Sequence, residues 1–509
     1  MRVVGNTALF TVQDPEPLLA AMPWAKYTNF KGQHIIAVPH DFLHLQAARG
    51  CGLDAPAPIE RYSFPGKFKP FEHQRETMRF LVENMRAYCL NGLGTGKSLS
   101  AAWAADYLME QKVIRRCLIV APLSCLERVW GDTLYQNFTR RKFVVLHGTK
   151  QQRLDALKTD WDFAVVNHHG MGIIGDYLPN DVDLVIIDEL AVLRNKQAKT
   201  LWGAAKKLMT PQRWGWGLTG SPVPNSPTDS FAQCQLLTPE NYKGSFTRFK
   251  SDVMTQINMF KWVPRASAEE TVNEILQPSI RYALEDCIDL PETIMHSRDA
   301  EMSPEQKLHY DKLKKECMTE VRGVQITAVN AAVLCGKLLQ ASLGILYSNG
   351  ETLEIDFGPR LAVLEECMEE VTGKIIIFAP LTGVIHSLYN KLKKKYNCVI
   401  VEGATSAGKR NQIFNDFNFK DTPQVIIAAP QCMSHGLNLH HQCSTIIWFT
   451  GIASNEVFTQ ANARTVRPGQ TQHTNIFMIA ASPVERKIYQ TLKDRGSFQA
   501  IVLEMAKEK

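Results

Sequence analysis

Six runs in this chain are wholly apolar and only strand-length: CLIV (117–120), FAVV (163–166), DLVIID (183–188, with its terminal acids), KIIIFA (374–379), QVIIA (424–428) and TIIWF (445–449). None alternates apolar with polar residues. Strands of this kind are buried on both faces, as happens when helices cover both sides of a parallel sheet. Between the runs lie stretches with helical character, such as SLSAAWAADYLMEQK (98–112) and GVIHSLYNKLKKKY (383–396). The repeating strand–helix order predicts α/β architecture.

The runs fall into two groups, roughly 87–220 and 374–480. At 509 residues the chain is too long for one hydrophobic core. The pattern predicts four parts: a small N-terminal α+β module (1–60), a first parallel-sheet lobe (61–240), a mostly helical connector (241–355) and a second lobe (356–509). Turn signals at Pro264, Pro278 and Pro291 punctuate the connector. A formal net charge of +6 permits a polyanionic partner without identifying one. The 12 cysteines include no C-x-x-C pair, so a zinc ribbon or disulfide scaffold is not expected. No run of roughly 18 apolar residues is present to span a membrane, and the start does not read as a signal peptide. A soluble, intracellular chain with reduced thiols is the expectation.

The stretch RAYCLNGLGTGKSLSAAWAA (86–105) is the most informative. It predicts a strand over 87–90, a glycine-rich turn over 91–96 and a helix opening at Ser98. Gly92, Gly94 and Gly96 let the backbone turn its N–H groups toward phosphate oxygens, beside a helix N-terminus. Thr95 lies in the same turn. Lys97 is placed to reach the β- and γ-phosphates of ATP, and Ser98 to offer a hydroxyl to Mg²⁺. The strict pattern has glycine where Asn91 stands. About ninety residues later, LVIIDEL puts Asp188 and Glu189 at the carboxyl end of a buried strand, where parallel sheets present ligands. Asp188 is expected to hold Mg²⁺, and Glu189 to orient and deprotonate the attacking water.

With these two motifs in place, the chain from about 61 to 495 resembles the superfamily-two helicases, and among them the Swi/Snf DNA translocases. KPFEHQ (69–74) is similar to the adenine-reading segment, with Gln74 in the amide position. LIVAPLSCLERVW (118–130) resembles a strand-recognition motif carrying Pro122 and Ser124. VVLHG (144–148) and VVNHHG (165–170) follow in order, the latter with Asn167 among the nucleic-acid contacts. GLTGSPVPNSPTD (217–229) resembles the segment coupling hydrolysis to DNA, through Thr219, Ser221 and Asn225. In the second lobe, SHGLNL (434–439) supplies Gly436 toward nucleotide and Asn438 toward nucleic acid. QANARTVRPGQ (460–470) places Gln460, Arg464 and Arg467 in the arginine-finger motif.

The resemblance implies two RecA-like lobes that close on ATP, with Arg464 and Arg467 stabilising phosphoryl transfer. Spaced three apart, the two arginines are expected on one helix face. It further implies a DNA-dependent ATPase moving on double-stranded or branched DNA, monomeric, in a bacterial or bacteriophage-infected cytoplasm. Nothing in the sequence points to protein partners. A strand-separating DNA or RNA helicase and a non-hydrolysing nucleic-acid clamp remain as alternatives. Three departures from the pattern matter. Ala191 stands where many relatives carry His, Ala-Ser-Asn (453–455) where many carry Trp-Asn-Pro, and the large insertions of eukaryotic remodellers are missing. The N-terminal module faintly resembles the small domain preceding the motor in annealing and fork-remodelling helicases. Trp24, Tyr27, Phe30 and Lys31 are read there either as a DNA-contacting face or as core packing. The pairs His168–His169 and His440–His441 lack further ligands at metal spacing and are read as structural.

Overall fold

A computed structural model describes residues 1–258, 261–287, 290–323, 328–348, 351–433 and 439–494. The chain divides into two units, Met1–Cys287 and Ile288–Lys509.

The first unit begins with an antiparallel sheet of β1 (Arg2–Val4), β2 (Thr7–Val12), β3 (Lys26–Phe30) and β4 (Gln33–Pro39), in the order β1-β2-β4-β3. One face carries Ala8, Phe10, Ile36 and Val38 onto Leu45 and Ala48 of the helix Phe42–Gly50. β3 is exposed along its length. Trp24, just before β3, and Tyr27 and Phe30 within it are all exposed. Tyr27 hydrogen-bonds His34 at 2.8 Å, Trp24 meets His44 edge-on, and Phe30 stands 59% exposed with Lys31 over its ring.

A seven-stranded sheet follows. It comprises β5 (Arg86–Cys89), β6 (Arg116–Ala121), β7 (Phe143–Leu146), β8 (Phe163–Asn167), β9 (Val182–Asp188) and β10 (Trp214–Leu218). After a separate hairpin, β11 (Met254–Asn258) and β12 (Lys261–Pro264), the edge strand β13 (Ser279–Ile280) completes it. The order is β13-β5-β10-β9-β6-β8-β7, with every pairing parallel. The apolar runs divide between two cores as two-sided burial requires: Cys117 and Ile119 pack on one side, Leu118 and Val120 on the other. Each fully buried aliphatic side chain contributes about 1.5–3 kcal/mol relative to exposure.

The second unit carries β14 (Thr293–Asp299), the hairpin β15 (Ile345–Ser348) and β16 (Glu351–Glu354), then β17 (Lys374–Phe378), β18 (Cys398–Val401), β19 (Val425–Ala428), β20 (Cys443–Trp448) and β21 (Thr474–Ala480). Its main sheet runs β14-β21-β20-β17-β19-β18, again all parallel. The fold is therefore the two-lobed α/β architecture that the runs require.

The stretch 241–355 is less helical than expected. It contains the helices Phe246–Val253, Ala268–Ile275, Pro304–Gly323 and Ala328–Ser342, but it also gives β13 to the first sheet and β14 to the second. Both are edge strands. β14 alternates exposed with half-buried residues, so it lacks the apolar run that marks a central strand. Among the described residues, no helix is long and apolar enough to cross a membrane.

Candidate nucleotide site and its surroundings

The carboxyl ends of β5, β6, β8, β9 and β10 share one edge of the first sheet, and every candidate residue after residue 74 in this unit follows or ends one of them. After β5 the chain turns sharply. Gly94 and Gly96 both adopt φ of +82°, a conformation L side chains rarely take. A Cβ at Gly96 would lie 2.1 Å from Gln74 Nε2, so the loop is closed to any larger residue there. The helix Lys97–Glu110 then begins, with its N-terminus on the loop and Ser100–Met109 buried. This is the cradle a phosphate requires: free-turning backbone, a helix N-terminus and a lysine.

Lys97 Nζ donates to the carbonyls of Asn91 (2.8 Å) and Gly92 (2.9 Å), and Thr95 Oγ1 donates to Gly92 O at 2.9 Å. Asn91 explains its departure from the glycine pattern. Its amide donates to Thr77 Oγ1 (2.8 Å) and accepts from the Tyr282 N–H (2.9 Å), joining the loop to the helix Glu72–Glu83 and to the chain after β13. Gln74 is buried. Its amide nitrogen donates to Thr95 O at 3.0 Å, and its oxygen accepts from the Phe71 N–H at 3.1 Å. In this geometry Gln74 braces the loop. His73, which the sequence did not single out, donates to the same Thr95 carbonyl at 2.9 Å.

Asp188 ends β9, and Glu189 follows in the left-handed region at φ +57°. A non-glycine residue there costs about 1–2 kcal/mol, so neighbouring contacts must hold it. Three segments do so. The Trp130 indole N–H donates to Asp188 Oδ2 at 2.8 Å, His168 Nε2 meets Asp188 O at 2.9 Å, and Thr219 Oγ1 donates to Glu189 Oε1 at 3.0 Å. Burial raises the Asp188 carboxyl above its ordinary range, against the opposing pull of the Trp130 N–H and the Lys97 charge. The Thr219 bond joins Glu189 directly to the 217–229 segment, so the absent histidine at Ala191 does not break that connection. His168 has a structural bond, as expected of it, but the bond falls on the acidic pair.

The residues read as nucleic-acid contacts separate into two groups. Pro122 is half-buried, and Ser124, Ser221 and Asn225 are exposed. Thr219 is fully buried, so its side chain serves Glu189 instead of the surface. Asn167 is also buried, and its Oδ1 accepts from Arg153 Nη1 at 2.8 Å. Sequence position alone cannot tell the outer from the inner members of such loops. Gly436 and Asn438 lie outside the described residues.

In the second unit Ser454 caps the helix Asn455–Asn462, which carries Gln460. The arginines are not on that helix. It ends at Asn462, and Arg464 and Arg467 sit on the following turn, before Pro468 and Gly469 (φ +96°) close it. Arg464 is buried, its Nε donating to Gln460 O at 2.9 Å; Arg467 Nε donates to Ala463 O at 2.7 Å.

No group of three or more His, Cys, Asp or Glu among the described residues could hold a metal ion. Mg²⁺ keeps water and phosphate ligands and asks the protein for only one or two. The Ser98 hydroxyl and Asp188 carboxylate offer a donor set of that kind.

Two family models match the chain. Residues 73–345 match the SNF2-related domain and residues 359–469 the helicase conserved C-terminal domain. The first match alone takes in more than half of the chain. Protein p41 of Acyrthosiphon pisum secondary endosymbiont phage 1 is 24% identical over 476 residues, covering 87% of this chain and 99% of its own length. An uncharacterised ATP-dependent helicase of Mycoplasma genitalium is 23% identical over 420 residues, 78% of this chain but only 38% of that protein. Among solved structures, a Sulfolobus solfataricus SWI2/SNF2 ATPase core in complex with dsDNA is 20% identical, covering 87% of this chain and 94% of that one at a TM-score of 0.42.

Proposed function

The chain belongs to the SNF2-related family, and on that premise we propose that it is a DNA-stimulated ATPase that moves along duplex or branched DNA without having to separate the strands. The observation that carries the proposal is the meeting of a phosphate loop with an acidic pair held by Trp130, His168 and Thr219.

Lys97 exchanges its bonds to the neutral Asn91 and Gly92 carbonyls for the β- and γ-phosphates of ATP, a stronger pairing because the acceptor then carries the opposite charge. Gln74 lies on the adenine side. Glu189, oriented by Thr219, takes the proton of the attacking water. Ser98 and Asp188 hold Mg²⁺, which when bound neutralises charge on the phosphates. Gln460 is assigned to nucleotide binding as a neutral amide, and Arg464 and Arg467 are assigned the positive charge that phosphoryl transfer needs. Exposed Ser124, Ser221 and Asn225 contact the DNA backbone, together with Pro122. Contacts of this type give little sequence specificity.

The test is ATP turnover measured with single-stranded, duplex, forked and four-way-junction DNA and with RNA. Stimulation by duplex or branched DNA is expected, as is triplex displacement on a blunt duplex. Equal turnover with and without saturating duplex overturns the motor. Strong unwinding of tailed duplexes without triplex displacement replaces it with a strand-separating helicase. Lys97→Ala is expected to fold and to lose turnover by about a thousandfold, the scale of a lost transition-state charge.

A further inference from the structure

Trp130 is fully buried, and its indole N–H has a charged acceptor, Asp188 Oδ2, at 2.8 Å. We propose that Trp130 is a positioning residue: it fixes the rotamer of the Asp188 carboxylate, and it makes ATP turnover depend on the outer loop from which its own turn begins. The inference rests on the reading of Asp188 as the carboxylate that serves hydrolysis.

Three observations support it. The first is local geometry. Trp130 lies in a single π-turn, Leu126–Gly131, set between the 3₁₀ turn Leu123–Cys125 and the helix Asp132–Asn137. A π-turn is an uncommon conformation that inserts a residue into a helix, and it recurs at functional sites. One residue of helical register corresponds to about 100° of rotation, so the same sequence wound as an α-turn would aim the indole away from Asp188. The second is continuity. Only five residues separate exposed Ser124 from Trp130, and unbroken helical turns connect them, so displacement of the outer end reaches the indole.

The third is convergence. The acidic pair is reached independently from two other loops at the same sheet edge. His168 bonds the Asp188 carbonyl, next to exposed His169, and Thr219 bonds Glu189, two residues before exposed Ser221. In each loop an inner residue holds the pair while a near neighbour faces outward. Trp130 is the member that grips a carboxylate oxygen of Asp188 itself, and it does so with a neutral donor that leaves the negative charge in place.

The experiment compares Trp130→Phe with a protein carrying the benzothiophene analogue of tryptophan at position 130, in which sulfur replaces the N–H and the shape is kept. Trp202→Phe is the control, because its indole donates to Ala232 O at 3.0 Å in the same unit, away from the acidic pair. Four quantities are read: kcat with saturating duplex, KM for ATP, affinity for a labelled duplex by anisotropy, and melting temperature. Both changes at 130 are expected to lower kcat about tenfold, with KM for ATP and duplex affinity within about twofold, as for loss of an interaction needed in the transition state alone. Trp202→Phe is expected to keep kcat within about twofold. If Trp130→Phe fails to fold, the shape-preserving analogue decides. Unchanged kcat in the analogue protein overturns the inference, as does an equal loss of kcat in the Trp202 control. Asp188→Asn separates the two levels. If it still turns over ATP, the reading of Asp188 itself falls; if it is inactive while the Trp130 proteins are fully active, only the role of Trp130 falls.

Discussion

At the carboxyl edge of the first sheet, ionic groups hydrogen-bond to neutral groups: Lys97 to two carbonyls, Asp188 to an indole and Glu189 to a hydroxyl, while the Lys97 charge also acts on Asp188. At the same edge of the second sheet, two buried ionic groups close on each other. Arg360 and Glu485 are both fully buried and paired at 2.5 Å, and Arg360 also donates to Phe449 O, just past β20. The remaining capacity of Glu485 is taken by Thr450 Oγ1 and the N–H groups of Ala481 and Ser482. Burial alone would push the Glu485 carboxyl up, but Arg360 and these donors hold it below its ordinary range. Bonds to neutral dipoles can be exchanged for a ligand, whereas a charge cancelled by a directly bonded opposite charge serves the fold. The Arg360–Glu485 pair is thus arranged for stability, on an edge that also carries Arg464 and Arg467.

Breaking the second arrangement is expected to give the largest effect. Glu485→Leu leaves the Arg360 guanidinium buried without its partner and should cost about 3–5 kcal/mol, read as loss of the second unit's unfolding transition in denaturant. The double change Arg360→Met with Glu485→Leu should recover only part of that loss: an apolar pair avoids the desolvation of both ions but leaves Phe449 O and the Thr450, Ala481 and Ser482 donors without these partners. Failure of the double variant to recover would mean that the pair does more than close the fold.

On the first edge the expected loss is in rate. Thr219→Val keeps the shape of a fully buried side chain and removes the hydroxyl that donates to Glu189 and accepts from the Ser221 N–H at 3.2 Å. The change is worth about 1–2 kcal/mol, roughly a tenfold lower kcat with KM for ATP little altered. Steady-state ATPase with saturating duplex measures it. An unchanged kcat would show that Glu189 does not depend on Thr219 for its orientation.

The same comparison explains what could be read from sequence. The six apolar runs all became central or near-central strands, because two-sided burial imposes their composition. β10, at the heart of the first sheet, could not be read in that way. Its sequence is WGWGL, and its glycines answer to its neighbours: a Cβ at Gly217 would lie 2.4 Å from Leu190 Cδ2, and one at Gly215 2.5 Å from Arg86 Nη1. Close packing removed the side chains that would have signalled a strand. In the site, the placement of Lys97 on the turn after β5 and of Asp188 and Glu189 at the end of β9 was legible, because the apolar runs mark where those strands stop. Trp130 was not, since its contact depends on a π-turn that leaves no periodic trace. The inward turn of Thr219 and Asn167 was equally hidden, because a loop sequence does not say which of its polar residues faces the protein.

The smallest expected effect is a pH dependence beside the arginine turn. Burial, then His441 and Arg467, lower the pKa of His440 from 6.5 to about 4. The folded second unit thus favours neutral His440, while the unfolded chain protonates it near its ordinary value. The stabilising contribution is complete above pH 6.5 and is lost as pH falls from there toward 4. Melting temperatures of the native protein and of His440→Gln should agree closely at pH 7.5. They should diverge as the pH is lowered through that window, with the glutamine variant, which has no proton to take up there, falling less. Parallel curves would mean that His440 is not held neutral, and that the second edge tolerates a new charge next to Arg467 as readily as the first edge tolerates its own.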